Sequence, residues 1–418
     1  MIITMKKIVL LFAAVCCAAS VNAGERRIAS PDGRLEVVVS DDGGRATYSV
    51  TYDGEVFLKP SPLGLRTNVG DFTQGLTLGE ESETTAVDET YSLKNIKKST
   101  VHYVANRVRV PFVKEGKTVF DVEFSVGNND VAFRYNLHRA GEPRCCVVES
   151  EATGFRMADG TTTFLCPQSG AMGGFARTTP SYETPYTVDD AMGKNGFGEG
   201  YSFPCLFRNG DKGWVLISET GVDSYYCASR LMGAADGLYT IGFPQQAEFN
   251  GNGTAAPGVT LPGRTPWRTV SVGATLAPIM ETTVPFDVVE RRYEPSKDYA
   301  AEYGCGTWSW IIAGDGSMNY DEQRRYIDFC ADMGYRTVLV DALWDTQVGY
   351  DRVEELAAYA ASKGVGLYLW YNSNGYWNDA PQGPRGKMDN IISTCCPAVN
   401  DLIEKHYPEL VQYLAPVV

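Results

Sequence analysis

The sequence predicts a multidomain chain, β followed by α/β. A large antiparallel β-sandwich should occupy residues 24–290, and about three βα units of a (β/α)8-type barrel should occupy residues 291–418. Three observations carry this. Short apolar runs of period two, punctuated by Gly, Asp and Asn, fill the first part. Near Asp287 the pattern changes to helical periodicity alternating with continuous apolar strands. The strand onsets there recur roughly every 30 residues, the repeat of a βα unit.

The chain opens with an address. Lys6 and Lys7 precede the apolar run Ile8-Val9-Leu10-Leu11-Phe12-Ala13-Ala14-Val15, and Val21-Asn22-Ala23 offers the small residues a signal peptidase reads. The run is too short to remain in a bilayer, so residues 1–23 are expected to be a cleaved signal peptide, with Met5 a candidate start. A buried N-terminal helix is the competing reading. Ala14-Val15 before Cys16 and Cys17 is a poor lipid-attachment context. No later window is apolar enough to span a membrane, so the mature chain is expected in the periplasm or medium without membrane insertion.

The sandwich is read from runs such as Leu35-Glu36-Val37-Val38-Val39-Ser40, Ala46 to Tyr52, Val108 to Phe112, Val119 to Phe124 and Val131 to Leu137. Turn clusters such as Asp41-Asp42-Gly43-Gly44 and Gly127-Asn128-Asn129-Asp130 separate them. About 260 residues in this style exceed an immunoglobulin-sized unit.

In the second part, Tyr320 to Ala331 reads as a helix with Tyr326, Ile327 and Cys330 at core spacing, stopped by Gly334. A second helix spans about Asp351 to Lys363 and is closed by Gly364. Gly306 to Trp310, Thr337 to Asp341 and Gly366 to Asn372 read as strands. A doubly wound sheet competes with a barrel, but no Gly-x-Gly-x-x-Gly loop follows any of these strands.

Composition excludes some partners. The 418 residues carry 51 acidic and 37 basic side chains, a net charge of −14, with no basic run beyond the N-terminus. That argues against nucleic acid and is compatible with neutral sugars or a divalent cation. Past residue 23 there are nine cysteines, dispersed and without a Cys-x-x-Cys pair, so neither a disulfide scaffold nor a zinc site is expected. Most should be small buried hydrophobes, with room for one or two bridges.

Barrel active sites lie at the C-terminal ends of the strands. The candidates there are Trp308 and Trp310, Asp341 and Trp344, and Tyr371, Asn372 and Asn374. Indole faces stack on sugar C–H surfaces, while carboxylate and amide groups bind hydroxyls. Core packing competes for each tryptophan taken singly. The recurrence at three strand ends favours a substrate-facing surface.

These motifs, taken in order, resemble glycoside hydrolase family 97. They are Thr307-Trp308-Ser309-Trp310, Asp315-Gly316-Ser317-Met318, Val338-Leu339-Val340-Asp341 with Trp344-Asp345, and Leu369-Trp370-Tyr371-Asn372-Ser373-Asn374-Gly375 with Trp377-Asn378. Ile217-Ser218-Glu219 and Pro266-Trp267-Arg268-Thr269 agree within the sandwich half. The resemblance covers about residues 25–389. It implies an N-terminal β-super-sandwich, a catalytic (β/α)8 barrel, cleavage of α-linked glucosides or galactosides, and an active-site calcium ion held partly by a sandwich glutamate, here Glu219. A partly buried strand-end carboxylate is the alternative reading of Glu219.

A (β/α)8 barrel takes about 250 residues, and only 119 run from Ala300 to Val418. The family's two catalytic carboxylates belong to later strands, so the chain is expected to lack them, and Asp341 matches neither. Residues 390–418 leave the family pattern and read as Cys395-Cys396-Pro397 followed by a short helix interrupted by Pro408. A truncated or frame-shifted reading frame is the simplest expectation, with an exposed sheet edge and poor independent folding. The alternative function is a non-catalytic carbohydrate-binding fragment. Glucose against galactose specificity and retaining against inverting chemistry stay open at this stage.

Overall fold

The computed structural model describes residues 24–93, 96–139, 141–169, 184–233, 236–244, 256–291 and 304–370. The expected signal peptide, residues 1–23, lies outside them, as do Tyr371, Asn372, Asn374, Cys395 and Cys396.

The first part is the predicted antiparallel sandwich. The meander Glu25–Ala29, Leu35–Ser40, Thr47–Tyr52 and Glu55–Pro62 pairs strand by strand. A second run goes from Thr85–Ser92 through Thr100–Lys114, Lys117–Gly127 and Asp130–Leu137 to Trp267–Gly273, Gly213–Thr220 and Tyr201–Asn209. Leu35–Ser40 and Thr47–Tyr52 alternate buried with half-buried residues, as period-two strings must when one face meets the core. Their inward residues Val37, Tyr48 and Val50 join Phe112, Phe120, Phe124 and Phe133 in one apolar cluster. Tyr48 meets Phe133 across the layers at 4.9 Å between ring centroids. Trp267–Gly273 is buried on both faces, because the segment Leu276–Met280 and Val284–Val288 packs on its outer side through Trp267, Val284 and Val288.

That segment is tied down by carboxyl–hydroxyl contacts. The Asp130 carboxyl accepts hydrogen bonds from Thr282 Oγ1 at 2.7 Å and from Ser271 Oγ. Asp287 accepts from Thr283 Oγ1 at 2.9 Å and from the Tyr91 hydroxyl. Burial pushes the Asp130 carboxyl up to about 6 from its ordinary 3.8, with the neighbouring Asp287 adding to the effect. Because the folded value lies above the unfolded one, this group stabilises the fold below about pH 4. The contribution is lost as pH rises through about 6. Asp130→Asn is therefore expected to flatten the fall in the urea midpoint between about pH 4 and pH 6, an effect of about 1–3 kcal/mol.

The second part contains three parallel strands, Gly306–Trp308, Thr337–Val340 and Gly366–Leu369, with Thr337–Val340 in the middle. Helices Tyr320–Asp332 and Tyr350–Ser362 link them. Asn319 caps the first helix, its side-chain oxygen accepting from Glu322 N–H at 3.0 Å. Gly334 and Gly364 end the helices at φ 68° and 73°, where a side chain would be strained. Ile327, Cys330, Leu356 and Ala360 pack on Val338, Val340 and Val365. Continuous apolar strands of a parallel sheet should be buried on both faces, and these are so only in part. Thr337–Val340 is buried at alternate residues only, and Gly366–Leu369 is half-exposed, because the helices cover only part of the sheet among the described residues.

The seven described cysteines form no disulfide with one another. No described helix is long and apolar enough to cross a membrane.

Candidate functional site

The strand expected over Gly306 to Trp310 stops at Trp308, and Trp310 opens a short helical turn, Trp310–Ala313. Ser309 makes the change. Its hydroxyl is buried against Ser317 Oγ at 2.9 Å and receives Gln323 Nε2 at 2.9 Å, while Gln323 also donates to the Ser317 carbonyl at 2.8 Å. This knot fixes the loop after the first parallel strand, and nothing in the local sequence pattern marked it.

The turn brings Trp308 and Trp310 together. Their rings lie 5.7 Å apart and 16° from parallel, and they remain 38% and 42% exposed. Trp308 Nε1 donates to Asp341 Oδ2 at 2.6 Å, and Trp310 Nε1 donates to Asp315 Oδ1 at 2.9 Å. Asp341 stands just past Thr337–Val340, and its Oδ1 accepts the Ala342 N–H at 2.6 Å. Asp341 thus sits beside the indoles, as its strand-end position suggested.

Trp344 does not join them. It is 1% exposed, with Nε1 donating to the Trp370 carbonyl at 2.9 Å and its ring edge-on to Tyr350. The expectation of a substrate-facing Trp344 is therefore corrected to core packing. Leu343, at φ 72°, opens the π-helical turn Trp344–Val348 that carries this ring inward.

Glu219 lies on Gly213–Thr220, directly across the ladder from Arg268. Its Oε2 accepts from Arg268 Nη1 and from Ser229 Oγ at 2.6 Å, and its Oε1 accepts from Ser229 N–H at 2.8 Å. Arg268 is fully buried and grips Glu151 twice, Nε to Oε1 at 2.9 Å and Nη2 to Oε2 at 2.6 Å. Tyr226 adds its hydroxyl to Glu151 at 3.1 Å. Burial works to discharge Arg268, yet Glu151 and Glu219 together hold its pKa well above the usual range. Burial also pushes the Cys227 thiol up to about 11, so it stays protonated and inert. The pairing partners Glu151 and Arg268 escaped the sequence reading as site residues. The available signal was an arginine inside the apolar strand Trp267–Gly273, because a buried guanidinium requires carboxylates.

Calcium takes six to eight oxygens. Among the described residues, Glu219 Oε1 accepts one hydrogen bond, from Ser229 N–H, and its triad with Arg268 and Glu151 has two carboxyl groups against one guanidinium. No group of three or more His, Cys, Asp or Glu side chains placed to hold a metal occurs among the described residues.

Comparison with known proteins fits this architecture. The profile of the glycosyl-hydrolase 97 N-terminal domain matches residues 28–290, more than half of the chain. A second profile, for the C-terminal domain of the iron only hydrogenase large subunit, matches residues 346–418. The departure from the first family's pattern near residue 390 falls inside that second match. A probable retaining alpha-galactosidase of Streptomyces bingchenggensis is 28% identical over 365 residues, 83% of this chain and 52% of its own. A retaining alpha-galactosidase of Bacteroides thetaiotaomicron is 25% identical over 411 residues, 90% of this chain and 60% of its own. The chain thus spans about half to three fifths of the length of these relatives. Among solved structures, a beta-arabinopyranosidase is 49% identical with a TM-score of 0.80, covering 91% of this chain and 60% of that one. A family 97 enzyme from Pseudoalteromonas sp. strain K8, in complex with panose, shares the fold at 20% identity and a TM-score of 0.66, over 82% of this chain and 53% of that one. On the match that spans its whole β-sandwich, the chain belongs to glycoside hydrolase family 97.

Proposed function

We propose that the chain is an exported glycoside hydrolase by lineage, with residues 304–370 forming the opening βα units of a (β/α)8 barrel. In this reading the ends of those strands bind the sugar of an α-galactoside or of its β-L-arabinopyranoside counterpart. The observation that carries it is the exposed, carboxylate-anchored pair Trp308 and Trp310 at the end of the first parallel strand. The names of the relatives narrow the sugar. An α-D-galactopyranoside and a β-L-arabinopyranoside share the configuration of C1 to C4 and differ by one hydroxymethyl group, so one stacking surface suits both. Two curated relatives are named for the first sugar and the 49% identical structure for a β-arabinopyranoside. That favours this pair over the α-glucosides the motifs left open.

Retaining cleavage needs two carboxyl groups about 5–5.5 Å apart, one as nucleophile and one as acid. Asp315 and Asp341 both accept indole N–H groups, so neither is assigned to that pair. This observation favours a second reading, a carbohydrate-binding protein without turnover. Incubation with nitrophenyl α-D-galactopyranoside, β-L-arabinopyranoside and α-D-glucopyranoside separates the two. Turnover of the first two above the third supports the hydrolase. Binding of all three at background turnover supports the module, and preference for the glucoside contradicts both assignments of sugar.

Calcium enters this reading only through Glu219 Oε1, completed by ligands outside the described residues. Chelation with EGTA is then expected to lower sugar affinity. Identical affinity with and without chelator rejects the ion.

A further inference from the structure

Trp308 ends the first parallel strand, Trp310 opens a one-turn helix, and each is about two fifths exposed. An indole in such a place ordinarily samples several side-chain rotamers. Here each ring is tethered at its only polar atom, and by a different aspartate. Trp308 is held by Asp341 at 2.6 Å and Trp310 by Asp315 at 2.9 Å. Hydrogen bonds to an ionised acceptor are the stronger kind.

The two anchors have different foundations. Asp341 is 7% exposed and is itself fixed by the Ala342 N–H at 2.6 Å, at the end of the central strand Thr337–Val340. Trp308 therefore takes its orientation from the neighbouring strand. Asp315 lies in the 3-10 turn Gly314–Ser317, which the Ser309, Ser317 and Gln323 knot holds in place. With both N–H groups tied down, the rings stay 5.7 Å apart and 16° from parallel.

We propose that Asp341 and Asp315 are positioning residues that hold the two indoles as one stacked platform, an exposed ring face of which receives the sugar ring. They act through Trp308 and Trp310. The proposal rests on the sugar-binding reading above and deepens it. A carboxylate that fixes an indole reduces the conformational freedom a sugar would otherwise have to freeze on binding.

Parallel indoles at this spacing couple their excited states, so the pair gives a two-signed circular dichroism couplet in the indole absorption region. Trp310→Phe, which removes one partner, identifies that signal. Asp341→Ala and Asp315→Ala are expected to lose at least half of the couplet and to weaken melibiose binding about tenfold. Asp341→Asn keeps an oxygen for the Trp308 N–H and should retain most of both. Asp315 is exposed, so its variant tests the tether without disturbing the core.

A full couplet with unchanged affinity in both alanine variants overturns the proposal. A wild-type chain that shows the couplet and binds no sugar refutes the site reading, and the platform's purpose with it. Loss of the couplet in the alanine variants alongside weakened binding supports both.

Discussion

Replacing Arg268 by methionine is expected to lower the stability of the sandwich by about 3–5 kcal/mol, the typical cost of breaking a buried ion pair by removing one partner. The side chains of Arg268 and Glu151 are fully buried, and Glu219 nearly so. Without the guanidinium, the described partners left are the Tyr226 hydroxyl for Glu151 and Ser229 for Glu219. Two carboxylates would then face each other in a low-dielectric interior. A domain held together by about 5–15 kcal/mol loses much of its margin to such a change. Pairing Arg268→Met with Glu151→Leu should recover part of the loss, because the double change removes the orphaned charge as well. The urea midpoints of the single and double variants measure both effects. A single variant as stable as wild type would mean that the triad is not formed.

The second large effect is expected at Trp344. Trp344→Ala should cost about 3–5 kcal/mol, as large-to-small changes of a buried aromatic do. The ring is enclosed among Val340, Val348 and Tyr350, and its N–H is tied to Trp370. Chemical denaturation followed at residues of the parallel-sheet part reads this loss. Trp310→Ala on the exposed pair should shift stability by no more than about 0.5 kcal/mol. If Trp344 instead faced substrate, its variant would lose sugar affinity with the unfolding midpoint intact.

These two residues also show where the sequence was legible. Period-two alternation located the strand Leu35–Ser40 because one face meets the core and the other is half-open to water. The helix Tyr320–Asp332 was legible from its apolar spacing and Gly334, while its Asn319 cap emerged only in the structure. Asp341 and the Trp308–Trp310 pair were placed at strand ends because a βα repeat fixes where strands stop. Trp344 was misread because a tryptophan three residues past a strand end has no periodicity to tell wall from core. The left-handed turn at Leu343, which decides the matter, leaves no mark in composition. Glu219 was recognised by motif alone. Its partner Arg268 is 49 residues away in sequence and is brought opposite it by the sheet register, while Glu151, which Arg268 also grips, comes from a strand of another sheet.

The sugar-binding reading is tested most directly by calorimetric titration of melibiose into the wild-type chain and into Trp310→Ala. The account predicts saturable heat in the wild type, with affinity about tenfold weaker in the variant at an unchanged unfolding midpoint. No saturable heat in the wild type, or equal affinity in the two proteins, would contradict it.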